Sequence, residues 1–328
     1  YTPFSRRWRE ADKALPHRNP ARVPTPDAVL DPAFPSIPRS RPRGFNVAGA
    51  PANPRGGARE ARRLWDAFRS GALAGYAERR DLPGVEGTSR LSPHLRFGTI
   101  GVRRLLAEAR AAWRDADAAG RKSIDVFVGE IAWREFYASI LAEHPRVLAE
   151  SFRPEFERFP WAAGEEAERL FAAWRDGVTG YPVVDAGMRQ LAHEGWMHNR
   201  VRMIVASFLT KHLLVDWRRG EELFRARLAD GDPASNNGGW QWSAGCGTDA
   251  QPFFRIFNPV LQGERFDPDG AYVRRWVPEI AAWKGAGRDL HAPWRSSSPP
   301  PAYPAPVVDH AAARARALAA FARIRAAG

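Results

Sequence analysis

Four side chains at helical spacing could do chemistry together. Glu130, Trp133, Arg134 and Tyr137 fall at i, i+3, i+4 and i+7, so on a helix they share one face. An acid, an indole and a guanidinium on one stripe are unusual for a core face. They suit a surface that receives a nucleobase: the indole stacks, the carboxylate reads imide or amino groups, and the guanidinium pairs with phosphate. A surface helix with a half-buried tryptophan explains the same residues equally well.

Residues 88–93, Thr-Ser-Arg-Leu-Ser-Pro, read as a helix start, with Ser92 as N-cap and Pro93 at the first helical position. Free amides at a helix start attract anions, so a phosphate is a natural guest beside these hydroxyls and Arg90. Taken alone, the segment is more simply an ordinary capped helix. Two further strings set Asp, Asn, Arg and Trp beside tight turns. They are Gly-Trp-Met-His-Asn-Arg-Val-Arg-Met at 195–203 and Asp-Gly-Asp-Pro-Ala-Ser-Asn-Asn-Gly-Gly-Trp-Gln-Trp at 230–242. Asn pairs before Gly-Gly are commonly turn chemistry. Two acids, two amides and two tryptophans in so short a string go beyond that, and fit a buried polar ring system.

The elements that must carry these residues read as helices. Residues 59–70 place Ala61, Leu64, Trp65 and Phe68 on one face. A helix over 99–114 is expected to start from a Thr99 N-cap, and one over 123–142 carries Ile124, Phe127, Val128, Ile131 and Phe136. Residues 165–176, 183–194, 198–215 and 218–228 continue the pattern. No strand-like alternation and no internal repeat stand out. The expectation is an all-α catalytic domain over 59–295. Before it, residues 16–54 hold ten prolines and read as an extended linker. After it, the Ser/Pro-rich stretch 296–306 is expected to be loose, and 309–327 to form an Ala/Arg helical tail.

Composition narrows the partner. The 328 residues carry a formal net charge of +12, with 45 arginines and four lysines. A GC-rich genome explains the preference for arginine but not the excess of charge, which favours a polyanion such as nucleic acid. Thirteen tryptophans exceed ordinary packing needs and permit stacking or electron transfer. The single cysteine, Cys246, rules out a disulfide framework and points to a reducing compartment, hence the cytoplasm. No Cys/His cluster has zinc spacing, so no metal is expected. No apolar run of about 18 residues exists to span a membrane. A monomer is expected, and a start at Tyr1 suggests that an upstream part of the natural protein is missing.

Taken together, these strings make the chain resemble class I cyclobutane pyrimidine dimer photolyases, of the photolyase/cryptochrome family. The resemblance is carried by EGTSRLS at 86–92, GEIAWREFY at 129–137, TGYPVVDAGMRQL at 179–191, GWMHNRVRMIVASFL at 195–209, DGDPASNNGGWQW at 230–242 and FRIFNP at 254–259. These cover most of residues 76–285. The resemblance implies an all-helical domain that holds FAD, reduced in the active form, and binds DNA containing pyrimidine dimers. The resemblance implies an α/β antenna domain that these residues are not expected to include, so its chromophore is unknown. Residues 1–58 resemble the end of that domain and the interdomain linker.

Residue roles follow by motif. Tyr76, Thr88, Ser89, Arg90, Leu91 and Ser92 would hold the pyrophosphate. Arg202 and Asp230 would pair beside the flavin ring, with Asp232, Arg134 and Asn199 also on the cofactor side. Asn236 would face the flavin N5, its amide free to rotate toward either protonation state. Glu130 would hydrogen-bond the dimer and Trp133 stack on it. Arg80, Asn199, Arg200, Met203 and Trp242 would line the cavity, with Arg200 meeting the DNA backbone. Trp240, Trp217 and Trp161 would relay electrons to an oxidised flavin. The alternatives are a cryptochrome-like photosensor without repair and a non-catalytic nucleic-acid-binding module. Met203 argues against the first, since the resemblance implies His more often there in animal-type cryptochromes. The acids and amides of 230–237 argue against the second.

Overall fold

A computed structural model of the chain describes residues 1–16, 55–248, 255–285 and 287–326. The Pro-rich stretch, from residue 17 to 54, and Phe254 lie outside the described residues. Among the described residues every regular element is helical. Helix α1 is Thr2–Glu10, α2 Ala58–Ser70, α3 Tyr76–Arg79, α4 Ser92–Arg96, α5 Val102–Asp115 and α6 Ala118–Glu143. The chain continues through α7 Glu165–Asp176, α8 Pro182–Glu194, α9 Asn199–Ser207, α10 Trp217–Arg227 and α11 Pro233–Ala244. It closes with α12 Pro259–Phe266, α13 Ala271–Trp276, α14 Pro278–Ala281, α15 Arg288–His291 and α16 His310–Ala326.

Local chemistry sets many of these boundaries. Asp117 caps α6 by accepting from the Gly120 amide at 2.8 Å, and Asp232 caps α11 by accepting from Ser235. Pro182 and Pro233 stand at the first helical positions of α8 and α11. Gly177 and Gly195 end α7 and α8 in the left-handed conformation that favours glycine.

Two apolar cores hold the helices. One gathers Trp65, Phe68, Tyr76, Leu105 and Phe127 from α2, α3, α5 and α6. The other gathers Trp174, Val201, Trp217, Phe224 and Trp240 from α7 to α11, and α13 and α16 pack onto it. Helix α6 reaches across: a Cβ at Gly238 on α11 would lie 2.1 Å from the Tyr137 ring, so only glycine lets the two helices close.

Four expectations need correction. Helix α5 starts at Val102 after a Gly101 N-cap, because the Thr99 hydroxyl is committed to the His94 ring at 2.8 Å. Leu91, not Ser92, occupies the N-cap of α4, and no side chain caps that five-residue helix. The 198–215 helix is two pieces, α9 and a π-helical turn at Phe208–His212, before Leu214 breaks the path at φ 52°. The 296–306 stretch is irregular yet anchored. The Tyr303 hydroxyl donates to the fully buried Asp185, and nearby the Val307 amide donates to Thr179 at 2.9 Å. Helix α16 buries Ala313, Ala317, Ala320 and Ile324 against the body.

Burial also gives the fold an acid-sensitive element. It pushes His198 down to about 4 and His212 down to about 3, so both stay neutral in the folded chain. The unfolded chain takes up these protons near pH 6.5, which the folded chain resists. Stability should therefore be unaffected above pH 7 and fall as pH drops from about 6.5 toward 4, by about 2 kcal/mol per histidine at pH 5. Urea unfolding at pH 7 and pH 5, with His212→Asn as the flattened comparison, checks this.

Candidate functional site

Part of the set singled out by sequence, Arg80, Arg90, Glu130, Arg200 and Asp232, meets at the seam between the two cores. Residues 76–96 belong to the first core, and the α8–α9 and α10–α11 junctions belong to the second. Ion pairs stitch them together. Arg200 meets Asp81 at 2.8 Å, Arg90 meets Glu194 at 3.4 Å and Arg96 meets Asp232 at 3.6 Å. Arg80 crosses to α6 and holds Glu130 at 2.6 Å. His198 sits among these charges, 3% exposed, with Asp81, Arg90, Arg200 and Arg202 all acting on it.

The second seam wall is built at two turns. Arg202 donates to Asp230 at 2.8 Å and to the Met197 carbonyl at 2.8 Å, while the Ala229 amide donates to the Gly195 carbonyl. This binds the start of α9 to the turn before α11. Asn236 behaves differently from its expected free rotation. Its Nδ2 donates to the Glu221 carbonyl at 3.0 Å and to the Glu221 carboxylate at 2.8 Å. The amide is thereby pinned, with Oδ1 left as the group to meet a partner. Burial raises the Glu221 carboxyl above its ordinary range.

On the pyrophosphate segment Leu91 is buried, Thr88, Ser89 and Arg90 are half-buried, and Ser92 is exposed. The Ser92 hydroxyl accepts from the Trp196 indole at 3.3 Å. Tyr76 is buried against Phe68 and Phe127, with Arg80 over its ring. Asn199 is exposed at the first position of α9, and Met203 is half-buried on the same helix.

The residues expected on the DNA side are more dispersed. Trp133 presents a usable flat face: Tyr1 already stacks on it, ring centroids 3.5 Å apart and planes within 5°. Together with Arg80, Glu130, Arg9 and Lys122 it lines a groove of about 870 Å³. Arg134 pairs with its neighbour Glu135 at 2.9 Å. Arg200 was expected to await phosphate, but its guanidinium is paired with Asp81 and lies 4.3 Å over the Phe266 ring. Trp242 lines a separate small niche with Ser207, Lys211 and Phe257.

The three tryptophans expected to form a relay, Trp240, Trp217 and Trp161, all lie on the second core. Trp240 is 2% exposed and edge-on to Trp174 at 6.0 Å and Phe224 at 5.0 Å. Its ring fills a notch at Gly220, where a Cβ would lie 2.1 Å away. Gly220 is three residues past the buried Trp217, on the same face of α10. Trp161 is partly buried and packs on Phe159, and the next residue, Ala162, bonds to the Leu214 carbonyl at 2.7 Å, three residues before Trp217.

Two buried polar atoms at the seam are left over for a guest. Asp230 Oδ1 and His198 Nε2 are buried without a hydrogen-bond partner. A buried carboxylate oxygen left without a donor costs about 1–3 kcal/mol, so this one calls for a donor from a guest. Sequence reasoning missed Asp81, Glu194 and Glu221, the acids that hold Arg200, Arg90 and Asn236. His198 stood inside a quoted string without a role.

Residues 127–323 match the family model described as the FAD binding domain of DNA photolyase. The chain is 48% identical to a deoxyribodipyrimidine photo-lyase of Halobacterium salinarum over 99% of its own length and 68% of the relative's. It is similar to the crystal structure of a class III photolyase from Agrobacterium tumefaciens, with TM-score 0.76 and 48% identity over 82% of this chain and 56% of that one. A Synechocystis cryptochrome structure is similar at TM-score 0.73 and 33% identity, over 83% of this chain and 57% of that one. The chain thus spans about half to two thirds of the length of these relatives. On this similarity the chain belongs to the photolyase family and carries its helical FAD-binding domain.

Proposed function

We propose that this chain binds FAD at the seam and, with the cofactor reduced, uses light to split pyrimidine dimers in DNA. The observation that carries the reading is the Arg202–Asp230 pair, whose buried carboxylate is half-satisfied, together with the pinned Asn236. When bound, FAD supplies the light-driven electron chemistry. Residues 88–92 and Tyr76 would hold its pyrophosphate, and Arg202 with Asp230 would orient the ring. Asn236, tethered through Glu221, would offer an acceptor oxygen and so favour a protonated flavin nitrogen. The relay of Trp240, Trp217 and Trp161 would only recharge the cofactor.

The dimer would be flipped from the duplex into the cavity, at a cost of a few kcal/mol, least for a damaged pair. Trp133 would then stack on it, taking the place Tyr1 holds on that face, and Glu130 would turn from Arg80 to the lesion. Trp133→Ala is expected to weaken dimer binding by about 1–3 kcal/mol, the usual worth of a stacking aromatic. Fluorescence anisotropy with dimer-containing and undamaged oligonucleotides measures it, and equal affinity in variant and wild type would make the stripe structural.

The class I assignment rests on the motif strings alone. The 48% identical class III structure weighs against any assignment finer than the family. The cryptochrome similarity keeps a photosensor as the competing reading. Two measurements decide. Purified protein should carry about one noncovalent FAD per chain, visible in its absorption spectrum, and blue light should restore an oligonucleotide containing a dimer. Release of FMN sinks the FAD reading, and flavin binding without repair leaves the photosensor.

A further inference from the structure

We propose that Glu194 is a positioning residue for the cofactor's diphosphate, acting by locking Arg90 and the segment around it. This rests on the FAD reading above. Glu194 is the last residue of α8, where a carboxylate faces the unsatisfied carbonyls and opposes the helix dipole. It is also only 8% exposed. A negative charge so placed is unfavourable unless something nearby answers it.

Two arginines and an amide answer it. Glu194 Oε2 lies 3.4 Å from Arg90 and accepts from the Gln190 amide at 3.0 Å, while Oε1 lies 3.9 Å from Arg275. Gln190 is itself fixed, accepting from the buried Tyr272 hydroxyl at 2.7 Å. Glu194 therefore meets Arg90 from a braced position.

Arg90 in turn holds an unfavourable backbone. Its φ is +50°, a conformation that non-glycine residues adopt only when their surroundings impose it. Its guanidinium lies 4.3 Å over the Trp196 ring, between the buried Glu194 and the exposed Glu86, each 3.4 Å away. Two residues on, Ser92 is tied to the same Trp196. The 190–196 corner thus grips residues 90 and 92, and the path of 88–92 depends on it. Neutralising Glu194 releases the buried one of Arg90's two ionic contacts while removing a charge that α8 itself disfavours.

The test uses the full chain freed of flavin, as wild type and Glu194→Gln, titrated with FAD and with riboflavin, which lacks the diphosphate. Thermal unfolding of both apo forms runs alongside. Glu194→Gln is expected to weaken FAD about tenfold, as loss of one charge-assisted contact would. Riboflavin affinity should not change, and the apo melting temperature should stay level or rise. Tighter FAD binding would show that Glu194 merely repels the diphosphate. Equal losses for both flavins, with a lower melting temperature, would mark a general structural role. Either result, or no change at all, overturns the proposal. Failure of the wild-type chain to bind FAD overturns the FAD reading and this one together, whereas the other outcomes leave FAD binding standing.

Discussion

Trp240→Phe is expected to nearly abolish light-driven reduction of bound, oxidised FAD while leaving repair by chemically pre-reduced protein intact. Trp240 is the tryptophan proposed as the first relay step, in the 230–242 string with Asp230 and Asn236, and it is buried among Trp174, Phe224 and Gly220. Phenylalanine keeps an aromatic ring in that slot but cannot be oxidised as readily. The lost volume should cost roughly 1–2 kcal/mol, too little to unfold a domain with so large a core. Trp217→Phe should act in the same direction less completely. The edge-on contact with Trp174 makes Trp174→Phe the informative companion, since that ring, 6.0 Å away, is a neighbour able to refill Trp240 once it has given its electron to the flavin. Trp242 is two residues on and lines a different niche, so Trp242→Phe should disturb lesion binding and spare photoreduction. The assignment fails if Trp240→Phe photoreduces at the wild-type rate, or if Trp242→Phe is the variant that blocks it.

The split between Trp240 and Trp242 illustrates what the sequence discloses. Neighbours two apart on a helix must point to different sides, so their separation was legible before any coordinates. The Glu130–Trp133–Arg134–Tyr137 stripe was legible for the same reason, because spacing along one element fixes which side chains share a face. Partnership between elements was not legible. Arg200 and Asp81 are 119 residues apart, and Asn236 and Glu221 are 15 apart on different helices, so no periodicity links them. The consequence is specific: Arg200 was expected at a phosphate and Asn236 was expected to rotate, and both proved committed to acids. Helix ends failed on finer grounds. Thr99 and Ser92 have good capping chemistry, yet each hydroxyl found a closer use, with His94 and Trp196. Capping preference is a tendency that another hydrogen bond can outcompete, a local one for Thr99 and a long-range one for Ser92.

Arg202→Met should be the most damaging single change in the proposed cofactor site. Asp230 is 6% exposed, and Arg202 is its one ion-pair partner among the described residues; its other oxygen has none. Methionine fills much of the arginine's stem volume but strands a buried carboxylate. Breaking a buried pair in this way typically costs 3–5 kcal/mol, and the loss of Arg202's bond to the Met197 carbonyl adds to it. The expected result is a clear drop in melting temperature and FAD affinity reduced by more than about 100-fold. Stability and binding can then be separated. Replacing both partners, Arg202→Met with Asp230→Leu, removes the stranded charge and should restore much of the melting temperature, since well-packed apolar residues often substitute for a buried pair without penalty. It should not restore FAD, because no carboxylate or guanidinium remains to orient the flavin ring. Isothermal titration with FAD and thermal unfolding of the two variants measure both effects. Recovery of FAD affinity in the double variant would mean that the pair serves the fold alone, and that the flavin is held by the 88–92 segment without help from this side of the seam.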